Sequence, residues 1–443
     1  MNNHVKDFLE EVCKQIKYKK IHGDISVEMQ EHIYGLMEEY IKKGMDRDEA
    51  EKKAVEQMGS PIEIGKQLHK AHRPKTEWSI IALIGILVLT GCFVLLSIAR
   101  ENLSIMTIEQ FYQSYLVYTL IGIGIGMVCF FFDYTRLEKY SLHIFLATLL
   151  FLFVSPWFPN KLNGIPYIVI GPFGFKPVSI VLPFFLISFA GLLNKWVTGD
   201  IKGFIKIYGL AGAAVFTCIE QPSLATGMLL GCGFLVMSTT VIIDKSFKGN
   251  RKGFLLFVYG SGTAGMLLLF RNPYRVKRLL AFLNFKSDPT GEGYINTVLE
   301  KVLSGAKLWG RGNYFDLNGK QAGFIDVPMV NSEFIFTYIV SAFGWIAGLA
   351  LVCIIVLTIV RMFSATRKIH STYGRYAASS VVTVFVLQAM ANILMNVGLF
   401  PILGISLPFI SYGGANFITN MALLGLLLGI YRRKDLITAD TFI

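Results

Sequence analysis

The stretch "WSIIALIGILVLTGCFVLLSIA", residues 78–99, runs for 22 positions without a charged side chain. About 20 apolar residues in helical form cross roughly 30 Å of hydrocarbon, so this stretch reads as a membrane span. Comparable runs follow near 111–132, 141–158, 177–194, 204–219, 224–243, 253–270, 334–360, 377–398 and 408–430. The composition agrees: 53% of the 443 residues are hydrophobic, 16% are charged, and the mean hydropathy is +0.53. Such values exclude a soluble enzyme with a single core and predict an all-α, polytopic membrane protein of about ten transmembrane helices.

Charge sorts the chain into two parts. Residues 1–76 are rich in Lys and Glu and contain no apolar run of signal-peptide type, since Lys14, Lys17, Lys19 and Lys20 stand where one would be needed. This prefix is expected to be a soluble helical bundle, and residues 77–443 the transmembrane domain. Val5, Phe8, Leu9, Val12 and Ile16, then Met29, Ile33, Leu36, Met37 and Tyr40, recur at helical spacing. Gly44 closes the second segment, Asp46 with Glu49 opens a third, and Ser60-Pro61 with Glu63 opens a fourth. The prefix resembles a small helical module found ahead of various membrane proteins in Gram-positive bacteria, which implies regulation or protein binding. His22, His32 and His69 match no common zinc spacing, so no metal set is read there. Five cysteines lie in apolar runs and Cys13 in the prefix, a pattern of packing rather than of disulfides.

Basic residues set the orientation. The short loops with Arg136 and Lys139, Lys195 and Lys202, Lys245 to Lys252 and Arg361 to Arg375, and the tail "YRRKD", are basic, whereas loops 220–223 and 399–407 carry no Lys or Arg. The positive-inside rule predicts that both termini are cytoplasmic, and it accounts for the +12 net charge without nucleic acid. One long connection, residues 271–333, then falls outside the cytoplasm. Connections of this length are usually functional or disordered.

Glu333 closes that connection, in "VPMVNSEFIF" (327–336), at the entrance of an apolar run. Burial there would lift its pKa toward that of a usable base. Arg275 and Arg278, three residues apart, would share one side of a short helix and suit phosphate oxygens. Their composition reads equally well as snorkelling at a membrane surface. Glu220, at the outer edge of a span, is either a functional acid or a group in headgroup water. His143 reads as a packing residue.

The motifs "YRVKRLLAFLNFKSDPTGEGY" (274–294), "LSGAKLWGRG" (303–312) and "NVGLFPILGISLPFISYGGANF" (396–417), with "NGIPYIVIGPFGFKPVS" (163–179) and "EQPSLAT" (220–226), together resemble the SEDS family, the FtsW, RodA and SpoVE proteins of cell division, elongation and sporulation. The resemblance implies a peptidoglycan glycosyltransferase in the bacterial plasma membrane. Its substrate would be lipid II, its partner a class B penicillin-binding protein, and its released product undecaprenyl pyrophosphate. It makes Glu333 the counterpart of a catalytic Asp. It also implies substrate-binding roles for Lys176, Glu220, Arg275, Arg278, Asn331, Ser332, Ser411, Tyr412 and Asn416, with no protein metal site but room for a divalent cation at the lipid diphosphate.

Several departures remove charge. Met329 stands after Pro328 where the family has Glu. Lys176-Pro177-Val178-Ser179 replaces "QPSE", Ser223 replaces an Asp, and Ser341-Ala342-Phe343 replaces an acidic cluster. An arginine usual near Ile165 and Tyr167 is absent, and Ala415 replaces Ser. These losses suit a second reading, a catalytically weakened paralogue that binds lipid II or a penicillin-binding protein as a scaffold or regulator. A lipid II flippase is a third.

Overall fold

The computed structural model describes residues 3–71, 73–101, 108–162, 165–170, 173–196, 201–221, 223–244, 247, 249–269, 271–313 and 327–435. Pro222, Lys245 and residues 314–326 of the long connection lie outside them. The chain divides into two compact units, Met1–Thr76 with Lys368–Ser371 and Tyr431–Ile443, and Glu77–Arg367 with Thr372–Ile430.

The first unit contains α1 (Asn3–Gln15), α2 (His22–Lys42), α3 (Arg47–Met58) and α4 (Pro61–Ala71). Val5, Phe8, Leu9, Val12, Ile33 and Met37 form its core, as helical periodicity requires. The backbone turns out of α2 at Gly44, φ +90°, where glycine carries no Cβ penalty. Asp46 then accepts the N–H of Asp48 and starts α3.

The second unit is built from α5 (Trp78–Arg100), α6 (Val117–Phe131), α7 (Ser141–Val154), α8 (Leu182–Trp196), α9 (Ile201–Glu220), α10 (Leu224–Ile243), α11 (Arg251–Leu269), α12 (Pro273–Leu283), α13 (Tyr294–Ser304), α14 (Ile335–Phe343), α15 (Trp345–Thr366), α16 (Thr372–Asn396) and α17 (Gly414–Arg432). Two small antiparallel hairpins, β1 (Lys161–Leu162) with β2 (Ile165–Pro166) and β3 (Ile168–Ile170) with β4 (Phe173–Phe175), precede α8. Phe145, Phe185, Phe189 and Phe234 interlock α7, α8 and α10, with the Phe189 and Phe234 rings 4.1 Å apart. α6 and α17 cross through glycines: a Cβ at Gly425 would lie 2.1 Å from the carbonyl oxygen of Gly126. Close approach through small residues is how helices associate where no hydrophobic force acts between them.

Each predicted apolar run meets a helix, and among the described residues seven helices are long and apolar enough to cross a membrane. The chain is therefore a multi-pass membrane protein. Helices at Ser141–Trp157 and Leu182–Lys195 are shorter, and α11 falls outside the seven. The long connection is itself partly helical, through α12 and α13.

The run 177–194 is interrupted at Val181, between a short helix at Pro177–Ile180 and α8, and two further runs differ more from expectation. The run 334–360 is not one span, because it breaks at Gly344 (φ +96°) into the nine-residue α14 and the 22-residue α15. The segment "KLWGRG" makes the break affordable in an apolar setting. Gly310 and Gly312 donate to the carbonyls of Phe343 and Ser341 (3.1 and 2.9 Å), while Trp345 and Ile346 donate to those of Lys307 and Leu308 (3.0 and 3.1 Å). A Cβ at Gly344 would lie 2.6 Å from the Leu308 oxygen, so the same contact needs glycine. After the break α15 runs back along α14: a Cβ at Gly348 would meet Val340 at 2.6 Å and Phe336 at 3.6 Å. Nine residues at 1.5 Å per residue make α14 roughly 13 Å long, and Glu333 precedes its first turn.

The run 408–430 is the second of these two. Its helix begins only at Gly414. Pro408 has no N–H to give, and Phe409 adopts φ +65°, so residues 408–413 form an irregular loop folded against the segment before α14.

Candidate functional site

Glu333 precedes α14, and the backbone that carries it is held from outside. Asn392 and Asn396, one turn apart on α16, both donate to the Glu333 carbonyl, at 2.8 and 2.9 Å. The Ser411 hydroxyl donates to the Ser332 carbonyl at 2.6 Å and accepts the Leu407 N–H at 2.9 Å. Tyr412 N–H reaches the Asn331 carbonyl at 2.8 Å. Three successive carbonyls are thus fixed by residues of the 392–412 segment. Upstream, the carbonyl of Met329 accepts from Ser332 and Phe334 (2.9 and 3.3 Å), and Met329 itself sits at φ +53° with 61% of its surface exposed. A left-handed backbone is rare for a bulky residue and is sustained here by those bonds.

The side chain of Glu333 lies against Gly404. A Cβ there would stand 3.2 Å from Oε1 and 3.7 Å from Cδ, and φ of +69° independently favours glycine. Burial raises the pKa of the carboxyl above the usual carboxylate range, and the charges of Lys176 and Arg278 act in the opposite sense. Two sequence-predicted cations from distant segments, Lys176 just before the short Pro177–Ile180 helix and Arg278 on α12, therefore both act electrostatically on Glu333.

A stability consequence follows with a definite sign. A carboxyl whose pKa is higher in the folded than in the unfolded protein favours the fold at low pH and loses that contribution as pH rises through the folded value. Glu333→Gln is expected to unfold at a higher temperature than the parent near pH 7.5, with the difference shrinking toward pH 4. Thermal unfolding in detergent at the two pH values checks this.

The other predicted residues are distributed around this centre. Arg275, also on α12, donates to the carbonyl of Ile219 at 3.5 Å and so sits at the end of α9. Glu220, the last residue of α9, is exposed. Asn416 is exposed and donates to Ser406 at 3.2 Å. Ser411, buried, has its hydroxyl engaged on both sides and acts as a brace for the Ser332–Glu333 backbone. The ring of Tyr412 lies 6.5 Å from that of Tyr115. Lys176 reaches over the Tyr167 ring at 5.9 Å.

Among the described residues no group of three or more His, Cys, Asp and Glu is placed to hold a metal. The described charged groups acting on Glu333 are the cations Lys176 and Arg278, which offer no lone pair to a metal.

Residues 76–436 match the FtsW/RodA/SpoVE family of cell cycle proteins. The chain belongs to that family. It is 28% identical over 326 residues to stage V sporulation protein E of Bacillus subtilis (strain 168), covering 71% of this chain and 86% of that one. It is 24% identical over 373 residues to the probable peptidoglycan glycosyltransferase FtsW of Trichlorobacter lovleyi, covering 80% and 93%. Among solved structures, a chain of a peptidoglycan synthase complex that coordinates polymerization and crosslinking superposes with a TM-score of 0.65 at 21% identity, over 81% of this chain and 98% of that one. Thermus thermophilus RodA superposes with a TM-score of 0.58 at 19% identity, over 81% and 97%. These likenesses establish the FtsW/RodA/SpoVE fold of residues 76–436.

For this family member, sequence reasoning missed Asn392, Asn396 and Gly404. A signal for the first two was present: two primary amides four residues apart inside an apolar run mark one polar face in an apolar medium, where polar groups need partners. Gly404 carried no such signal among many glycines.

Proposed function

We propose that this FtsW/RodA/SpoVE protein polymerises lipid II into glycan strands in the bacterial plasma membrane. Both termini are cytoplasmic in this reading, ten helices span the bilayer, residues 1–76 form a cytoplasmic domain, and the reaction takes place on the outer side. Glu333 accepts the proton of a sugar hydroxyl as its oxygen bonds to the anomeric carbon of a second lipid-linked sugar. The bond from that carbon to the diphosphate breaks, and undecaprenyl pyrophosphate departs with the electron pair. Arg278 and Lys176 offset the charge that gathers on the leaving oxygens. A class B penicillin-binding protein is the expected partner.

The observation that carries this reading is a single braced carboxylate, raised in pKa by burial, with two cations acting on it from remote parts of the sequence. The purified full-length protein, alone and with a class B penicillin-binding protein, is expected to convert lipid II to polymer resolvable on a gel. Lipid II bound without polymer in either case would overturn the enzyme in favour of the scaffold, which the loss of acids at Met329 and Ser341 to Phe343 favours. Movement of lipid II across vesicles without polymer would favour the flippase.

A further inference from the structure

We propose that Asn392 and Asn396 are positioning residues that hold both walls of the slot in which the Glu333 carboxylate lies. The inference rests on Glu333 being the base of the proposed reaction. Both asparagines are 0% exposed, on a helix long and apolar enough to span a membrane, where a primary amide is costly to bury unless every donor and acceptor is used.

Asn396 uses all of its capacity. Its Oδ1 accepts the N–H of Thr337 at 3.0 Å and the Thr337 hydroxyl at 2.7 Å, and its Nδ2 donates to the carbonyls of Glu333 and Asn392 at 2.9 and 2.8 Å. The Thr337 N–H is one of the donors that the start of α14 leaves without an intrahelical acceptor, so Asn396 caps from another helix. Asn392 donates to the Glu333 carbonyl at 2.8 Å and to the Ile405 carbonyl at 2.7 Å. Ile405 follows Gly404, whose bare Cα faces the carboxylate. One amide therefore ties the residue that bears the carboxylate to the segment that forms the opposite wall, and its neighbour fixes the helix that begins beside it.

Packing alone would be served by leucine or alanine in this apolar helix. The amides instead direct their hydrogen bonds to the backbone on either side of the reacting group. A carboxylate that must meet a sugar hydroxyl tolerates little displacement, and misplacement by about 1 Å costs about 100-fold in rate.

The test uses the full-length protein in detergent, with Asn392→Ala, Asn396→Ala and, as a near-isosteric change that removes the same donors, Asn392→Asp. Turnover of lipid II is measured, together with pH-dependent labelling of Glu333 by a hydrophobic carbodiimide, which reacts with protonated carboxyls and is read by peptide mass spectrometry. Variants that remain monodisperse are expected to lose roughly tenfold to a hundredfold in kcat with KM for lipid II little changed, and to shift the midpoint of Glu333 labelling. Unchanged kcat and an unchanged midpoint in any folded variant would overturn the proposal, as would a loss confined to KM. Glu333→Gln separates the two levels of inference: parental polymerisation by that variant would refute the base itself, whereas the labelling profile reports the clamp without requiring turnover.

Discussion

Glu333→Gln is expected to leave a folded membrane protein that no longer polymerises lipid II, a loss of about 100- to 10,000-fold for removal of a positioned base. Glutamine preserves the volume beside Gly404 and the carbonyl clamped by Asn392 and Asn396, so the change isolates the proton acceptor. Glu333→Asp tests reach. Aspartate restores the residue usual in the family but withdraws the carboxylate by one bond, roughly 1.5 Å. The slot in this chain is filled by the longer side chain, which lies 3.2 Å from the position of a Cβ on Gly404. The aspartate variant is therefore expected to retain activity well above the glutamine variant and below the parent. Equal polymer from parent and glutamine variant in a gel-based lipid II assay would remove Glu333 from the chemistry.

Lys176→Met is expected to have the second largest effect, for two separable reasons. Loss of a cation near the leaving diphosphate lowers the maximal rate by roughly tenfold to a hundredfold, the scale of removing a charged contact from a developing anion. Lys176 also lowers the pKa of Glu333 against the effect of burial, so its removal lets that pKa rise further. A base must be ionised to act, and the ascending limb of kcat/KM against pH should therefore move to higher pH. Lys176→Gln, which restores the residue usual in the family at this position, should shift the limb in the same direction. A lower rate with an unmoved limb would place Lys176 on the substrate alone. Arg278→Met acts in the same sense on the limb, since the guanidinium also lowers the Glu333 pKa.

Much of the fold was legible because hydrophobic run length reports a single physical requirement, the crossing of hydrocarbon. Every run from Trp78 onward overlaps a helix, and among the described residues seven of those helices are long and apolar enough for that crossing. What hydropathy does not report is a break in an equally apolar backbone. Gly344 looked like one more small residue in a span, and its φ of +96° depends on carbonyls and N–H groups of residues 307–312, some 30 positions away. Pro408 suggested a helix start, yet the loop to Gly413 is irregular because Ser411 and Tyr412 bond the backbone of Ser332 and Asn331 instead of continuing a helix. At the site, Glu333, Lys176 and Arg278 were found through charge and motif. Asn392 and Asn396 were absorbed into an apolar run, and their importance lies in which carbonyls they meet, a property of tertiary structure alone.

The break at Gly344 also makes α14 a ruler. Its far end is fastened by residues 307–312 and its near end by Asn392 and Asn396, so the number of residues between Glu333 and Gly344 fixes both the depth and the bearing of the carboxylate. One inserted residue would turn Glu333 by about 100° and carry it roughly 1.5 Å along the axis. Side chains along α14 can change by substitution within the limits of packing, but the length of the segment can vary only at the expense of its aim.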